Sequence, residues 1–328
     1  MLRTEPVKGR ASELVSADVA YSEAQPFVLN DGRLLLVSHH DAGIRVWSCD
    51  TNARTCAARQ DIGASNMNGQ PSMLALDDTV VVAWCTGDAI RFQLVSAEAD
   101  GGSPRTVAAG NVGQEAGGGP GLTRLPDGGF VVSWAQGSVG THPEDGAYVR
   151  VYDTAGDPQG APIRLHPMGA YTMPPTLVPV SEGSLLVTWG VWCTRCDQEP
   201  WDKQVMSRTL HVATSQLGRL TSTPEPYDTG DGAAVVGQTV YLSNGSLLRT
   251  WSPDGRGGDL YGQVFDRSLA PVGAPAVLAR DPNLGSGFAV ASQASGDVLI
   301  AWVRKQGRGA AVFGKRVPLT ALTPAAGP

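Results

Sequence analysis

Charge is scarce in this chain, and so are cysteine, histidine and aromatic residues. Of 328 residues, 17% are charged and 6% aromatic, and there are five cysteines and five histidines. The net charge is −6 and no basic block occurs, so the electrostatic footprint expected of a nucleic-acid binder is missing. No apolar run approaches the roughly 20 residues that a membrane-spanning helix needs. The first ten residues, MLRTEPVKGR, lack the apolar core of a signal peptide. There is no nucleophile elbow, phosphate loop or His-Glu-x-x-His helix, which excludes the common signatures of those chemistries.

Turn formers are what the chain has in quantity, with 41 glycines and 23 prolines against 42% hydrophobic residues. This is the composition of a β-protein with a large core. The apolar residues recur in one pattern: LLLVSH (34–39), VVVAW (80–84), FVVSW (130–134), LLVTW (185–189), LLRTW (247–251) and VLIAW (298–302). Five segments end in Trp and the first has His39 in that place; successive ends lie 45 to 62 residues apart. A period of that length marks a propeller or an array.

Each unit reads alike. A short strand, often starting after Pro, leads to a turn such as Asn30-Asp31-Gly32, Asp127-Gly128-Gly129 or Asn244-Gly245. These residue types tolerate the positive φ of tight hairpins. The apolar strand follows, then a variable loop, a third strand and a short fourth. Four antiparallel strands repeated six times predict one all-β domain, a six-bladed β-propeller. Its blades fall at about 21–66, 67–115, 116–170, 171–228, 229–282 and 283–318. The last unit lacks a fourth strand and an extra strand, 12–20, precedes the first. The expectation is that 12–20 completes the last blade and closes the ring, removing two exposed edges.

The segments LPDGGFVVSW (125–134) and LYGQVFDRSLAPVG (260–273) resemble the repeats of large secreted, adhesin-like bacterial proteins. That resemblance covers nearly the whole chain, with its clearest matches in the third and fifth units. It implies an extracellular or surface setting and binding rather than catalysis, and it carries over no catalytic residue. The sialidase Ser-x-Asp-x-Gly-x-x-Trp box, Trp-Asp repeat ends and a Tyr-Trp-Thr-Asp motif are all absent. The expected setting is secreted or cell-surface, with the leader absent from this chain; a cytoplasmic setting stays open.

Loops joining second to third strands vary most, and variable loops on a rigid scaffold carry function. His39, His40 and Asp41 lie at the first, and His142, Glu144 and Asp145 at the third. These are the acid/base candidates of an enzyme at the channel mouth. The fourth and longest loop, 190–203, holds Trp192, Arg195, Asp197, Glu199 and Trp201, which with Arg256 and Arg304 form a candidate ligand-binding rim. The two tryptophans read equally as pins for the loop. Cys49 and Cys56 flank a hairpin and suit a disulfide. Cys193 and Cys196 read as a local disulfide or, with Cys85 and His142, as a Cys₃His zinc site. No other cofactor is expected. Polar residues recurring on third strands, Arg45, Arg91, Arg150, Arg208, Gln263 and Lys315, read as solvent-facing.

The leading expectation is a binding module, monomeric, for a small molecule, glycan or protein. The alternatives are a hydrolase, lyase or isomerase with a His/carboxylate site, and a scaffold without a small-molecule site.

Overall fold

A computed structural model describes residues 21–28, 34–40, 43–49, 56–63, 71–86, 88–96, 102–110, 119–137, 145–166, 171–172, 175–181, 183–192, 204–224, 235–252, 258–267, 270–281, 284–292, 297–306 and 309–322. They form six antiparallel sheets, each from one continuous stretch of chain. The first sheet is β1 (Tyr21–Val28), β2 (Leu34–His40), β3 (Gly43–Cys49) and β4 (Cys56–Gly63). The second is β5 (Ser72–Leu76), β6 (Thr79–Thr86), β7 (Ala89–Ser96) and β8 (Arg105–Ala109). The third is β9 (Gly121–Arg124), β10 (Phe130–Gln136), β11 (Gly146–Tyr152) and β12 (Ile163–Arg164).

The fourth sheet has β13 (Tyr171–Thr172) and β14 (Thr176–Ser181) both paired with β15 (Ser184–Trp192). Its outer side has β17 (Gln216–Leu217) and β18 (Thr221–Pro224) both paired with β16 (Gln204–His211). The fifth is β19 (Val235–Tyr241), β20 (Leu247–Ser252), β21 (Gly258–Phe265) and β22 (Pro271–Asp281). The sixth is β23 (Leu284–Ser292), β24 (Val298–Gln306) and β25 (Gly309–Val317).

The hairpin turns behave as their residues dictate. Gly128 and Gly245 hold φ of +89° and +80°, which a side chain would strain. Asn244 Oδ1 accepts the Ser246 amide at 2.9 Å, so this Asn-Gly-Ser serves a turn.

Consecutive sheets pack face to face, as propeller blades do. The first strands of the second to sixth sheets lie against one another in chain order, β5, β9, β14, β19, β23. One apolar cluster spans the first and second sheets, another the second and third, and so on to the fifth and sixth. The repeated tryptophan is the reason. Trp84, Trp134 and Trp189 are at most 1% exposed, and each fills the seam towards the preceding sheet. Burying one such ring is worth roughly 4–6 kcal/mol by area.

Of the third-strand polar residues, Arg45, Arg91, Arg150 and Arg208 are half-buried and Lys315 is exposed, as alternation predicts, and Gln263 is the exception. Gln263 is buried, and its amide donates to the carbonyls of Val264, Val272 and Gly273. Arg208 donates to Leu165 O at 2.9 Å across the seam to the third sheet. Lys315 does the same to Leu278 O at 2.8 Å, from the sixth sheet to the fifth. Backbone carbonyls at the edges of neighbouring sheets need donors, and long cationic side chains reach them.

Candidate functional site

Every second strand ends at the same end of its sheet, and the loop that follows leaves from there. That end, the rim, carries the residues singled out by sequence. At the first sheet, β1 runs antiparallel to β2 with Glu23 opposite His39 and Tyr21 opposite His40. A bulge between Tyr21 and Glu23 sets this register. Directly opposed residues on antiparallel strands share a face and lie within side-chain reach. Consecutive residues alternate faces. His39 and His40 are consecutive residues of β2, opposite Glu23 and Tyr21 respectively. The unit the backbone assembles is one histidine opposite one carboxylate, His39 with Glu23. Tyr21 and Glu23 escape a motif search because they sit in a plain first strand. Their signal is position: the chain's first described strand begins at the rim. Asp41 lies outside the described residues.

The third sheet shows how a rim loop is anchored. The segment 138–144, with His142 and Glu144, lies outside the described residues, but its two roots are described. Gly137 has φ +96°, and a Cβ there would overlap the Asp145 carboxylate. Glycine is thus required where the loop departs. Asp145 is 1% exposed, and its backbone carbonyl accepts from Arg164 Nη2 at 2.6 Å. His166 is also buried and sits edge-on to Trp189, 6.5 Å between ring centres. Asp145 and His166 therefore form the floor beneath the rim, not its open surface.

The fourth sheet is raised at the rim. β15 continues to Trp192, which pairs with Tyr171, while Val191 pairs with Gln204. The loop between them, with Cys193, Arg195, Cys196, Asp197, Glu199 and Trp201, lies outside the described residues, as does Arg256. Arg304 stands in β24 opposite Leu284 and Ala311. His211 lies at the opposite end, where Ser184 Oγ and His211 Nδ1 are 2.9 Å apart.

The cysteines divide. Cys49 and Cys56 are direct register partners across β3 and β4, the backbone placement a cross-strand disulfide uses. Cys85 belongs to the apolar cluster between the second and third sheets and is 1% exposed. Burial, with a smaller contribution from Asp88, pushes its thiol up to about 11. Among the described residues no group of three His, Cys, Asp or Glu side chains is placed to hold a metal ion.

No family model matches the chain, and no curated protein matches its sequence. Solved structures do resemble it. An ulvan lyase bound to -[GlcA(1-4)Rha3S]- aligns with a TM-score of 0.62 at 9% identity, over 93% of this chain and 84% of that one. An α-L-arabinofuranosidase of Fusarium graminearum aligns at 0.56 and 11% identity, over 93% and 96%. The hydrazine synthase of Kuenenia stuttgartiensis aligns at 0.52 and 12%, over 82% and 73%. The fold is that of a β-propeller. Identities this low carry the fold alone, and these three propellers carry unrelated chemistries.

One cavity of about 300 Å³ opens at the opposite end from the rim, between the third and fourth sheets. Leu125, Pro126, Asp127, Gly183, Val212 and Ala213 line it, and Asp127 is its single charged residue. It holds no acid/base pair.

Proposed function

We propose that this propeller is a glycan-processing enzyme whose acid/base site lies at the rim of the first sheet. The observation that carries the reading is the register of β1 on β2, which sets Glu23 opposite His39. An imidazole beside a carboxylate supplies a group that takes and returns a proton near neutral pH. His39 also occupies the place where Trp84, Trp134 and Trp189 fill their seams. The polysaccharide-acting propellers among the structural neighbours favour a glycan over other substrates, and favour catalysis over the binding module expected from the repeats.

In this reading the six sheets close into a ring, with residues 12–20 as the outer strand of the sixth. The lip from Trp192 to Trp201, with Arg256 and Arg304, binds the sugar chain. The adhesin-like repeats favour an extracellular or surface setting for a monomer, and the negative net charge does not favour nucleic acid. Cys49 and Cys56 are joined in that setting.

The test is an assay on a panel of neutral and uronate-containing polysaccharides. Reducing ends report any cleavage, and absorbance of unsaturated uronate separates elimination from hydrolysis. His39→Gln and Glu23→Gln are each expected to lower turnover about 10²–10⁴-fold while the circular dichroism stays native. Full turnover in both variants refutes the site. Binding without turnover across the panel refutes the enzyme and restores the binding module.

A further inference from the structure

The seam between the fourth and fifth sheets differs from the others at one level. Two residues before the terminal Trp or His, the six second strands carry Val37, Val82, Val132, Val187, Arg249 and Ile300. Arg249 is the single charged residue in that series, and it is 4% exposed. Its Nη2 donates to Ser207 Oγ on the fourth sheet, which shows that it points into this seam. Its guanidinium lies over the Phe265 ring, 4.5 Å from the centre.

Register assembles a polar layer around it. Thr239 and Gln263 are the cross-strand partners of Arg249 on the fifth sheet. Thr188 is the partner of Ser207 on the fourth. All five side chains are buried. Gln263 satisfies its amide on backbone carbonyls, and Ser207 receives Arg249. Four polar atoms are left without a partner among the described residues: Arg249 Nε, Arg249 Nη1, Thr188 Oγ1 and Thr239 Oγ1. Orphaned buried donors are rare, and an uncompensated buried cation is costlier still.

We propose that this layer binds one small monovalent anion of chloride size. The guanidinium offers the N–H groups of Nε and Nη1, and the threonine hydroxyls can rotate to donate. One negative charge balances the one positive charge in a seam that holds no carboxylate among its described residues. Desolvation already draws the Arg249 guanidinium down to about 10, the direction expected where the counter-charge is left out. Asp259 pairs with Arg280 at 3.5 Å; the acidic residues near in sequence that lie outside the described residues are Asp254 and, between β18 and β19, Glu225, Asp228 and Asp231. That segment rejoins the sheet at Val235, opposite Ser252, with Trp251 opposite Val236. Arg249 lies below the buried Trp251, on the far side from that entry. An ion that fits within the seam meets the geometry better than a carboxylate from the rim.

Thermal unfolding of the full chain tests this. Melting is compared in sodium chloride and in sodium gluconate of equal ionic strength, gluconate being too large for an enclosed site. Chloride is expected to raise Tm by about 2–6 °C, saturating with concentration. Arg249→Met removes that dependence. Crystals of the unaltered chain soaked in bromide give an anomalous peak between Arg249 and Thr188, a measurement that needs no variant to fold. Equal melting in both salts, with no bromide peak, overturns the proposal. So does a chain indifferent to halide whose Tm falls with Asp254→Asn, Glu225→Gln, Asp228→Asn or Asp231→Asn, because the counter-charge is then the chain's own.

Discussion

The seam between the second and third sheets and the seam between the fourth and fifth solve one packing problem in opposite ways. The former is aromatic. Phe92 meets Phe130 edge to face at 5.3 Å and Tyr152 at 4.9 Å, while Phe130 stacks on Tyr152 at 5.2 Å. The latter keeps an apolar patch of Leu186, Leu247 and Phe265 and sets the Arg249 layer beside it. A shared antiparallel scaffold thus tolerates very different fillings. What a seam must supply is volume; what it supplies in chemistry is free to vary. That freedom allows a scaffold of repeats to host sites at single seams.

The first way to break the comparison is to open a seam altogether. On the proposed closure, removing residues 1–20 should have the largest effect, because it would strip the outer strand of the sixth sheet and bare two sheet edges. Cooperative unfolding should be lost or displaced by far more than any single substitution achieves. If the truncated chain melts where the intact one does, the closure is wrong. Next comes Phe130→Ala, which removes the ring that the other two aromatics share. It should cost about 3–5 kcal/mol by urea titration. Arg249→Met should behave oppositely: in halide-free buffer it is expected to be neutral or stabilising, since an apolar side chain of similar length replaces an uncompensated charge.

Much of the fold was legible because one residue repeats. Trp84, Trp134 and Trp189 sit where spacing predicted, each between two sheets. Legibility ended where a residue's role depends on atoms far along the chain. Arg208 and Lys315 alternate as exposed residues do, yet each serves a carbonyl of the preceding sheet, which no periodicity reveals. Arg249 was visible as an arginine in a column of valines, but its burial follows from Ser207 standing across the seam, 42 residues away. The candidate site was half legible. The histidines could be read from the repeat, but Glu23 stands in a plain first strand and gained meaning only through its register opposite His39.

The finest contrast between the two seams is titration, where they should have opposite signs. Cys85 lies in the aromatic seam, and its folded pKa is raised from 9.0 to about 11. The folded state then holds a proton that the unfolded state releases, so stability falls as pH rises from about 9 to about 11. Arg249 in the polar seam is lowered from 12.5 to about 10. There the unfolded state holds the extra proton, and stability rises with pH above about 10. Urea midpoints measured between pH 8.5 and 11.5 for the unaltered chain, Cys85→Ala and Arg249→Met separate the two. Relative to the unaltered chain, Cys85→Ala should lose less stability as pH rises, and Arg249→Met should lose more. Parallel curves for all three would show that neither group is as desolvated as its seam implies, and the difference in polarity between the seams would then have no energetic consequence.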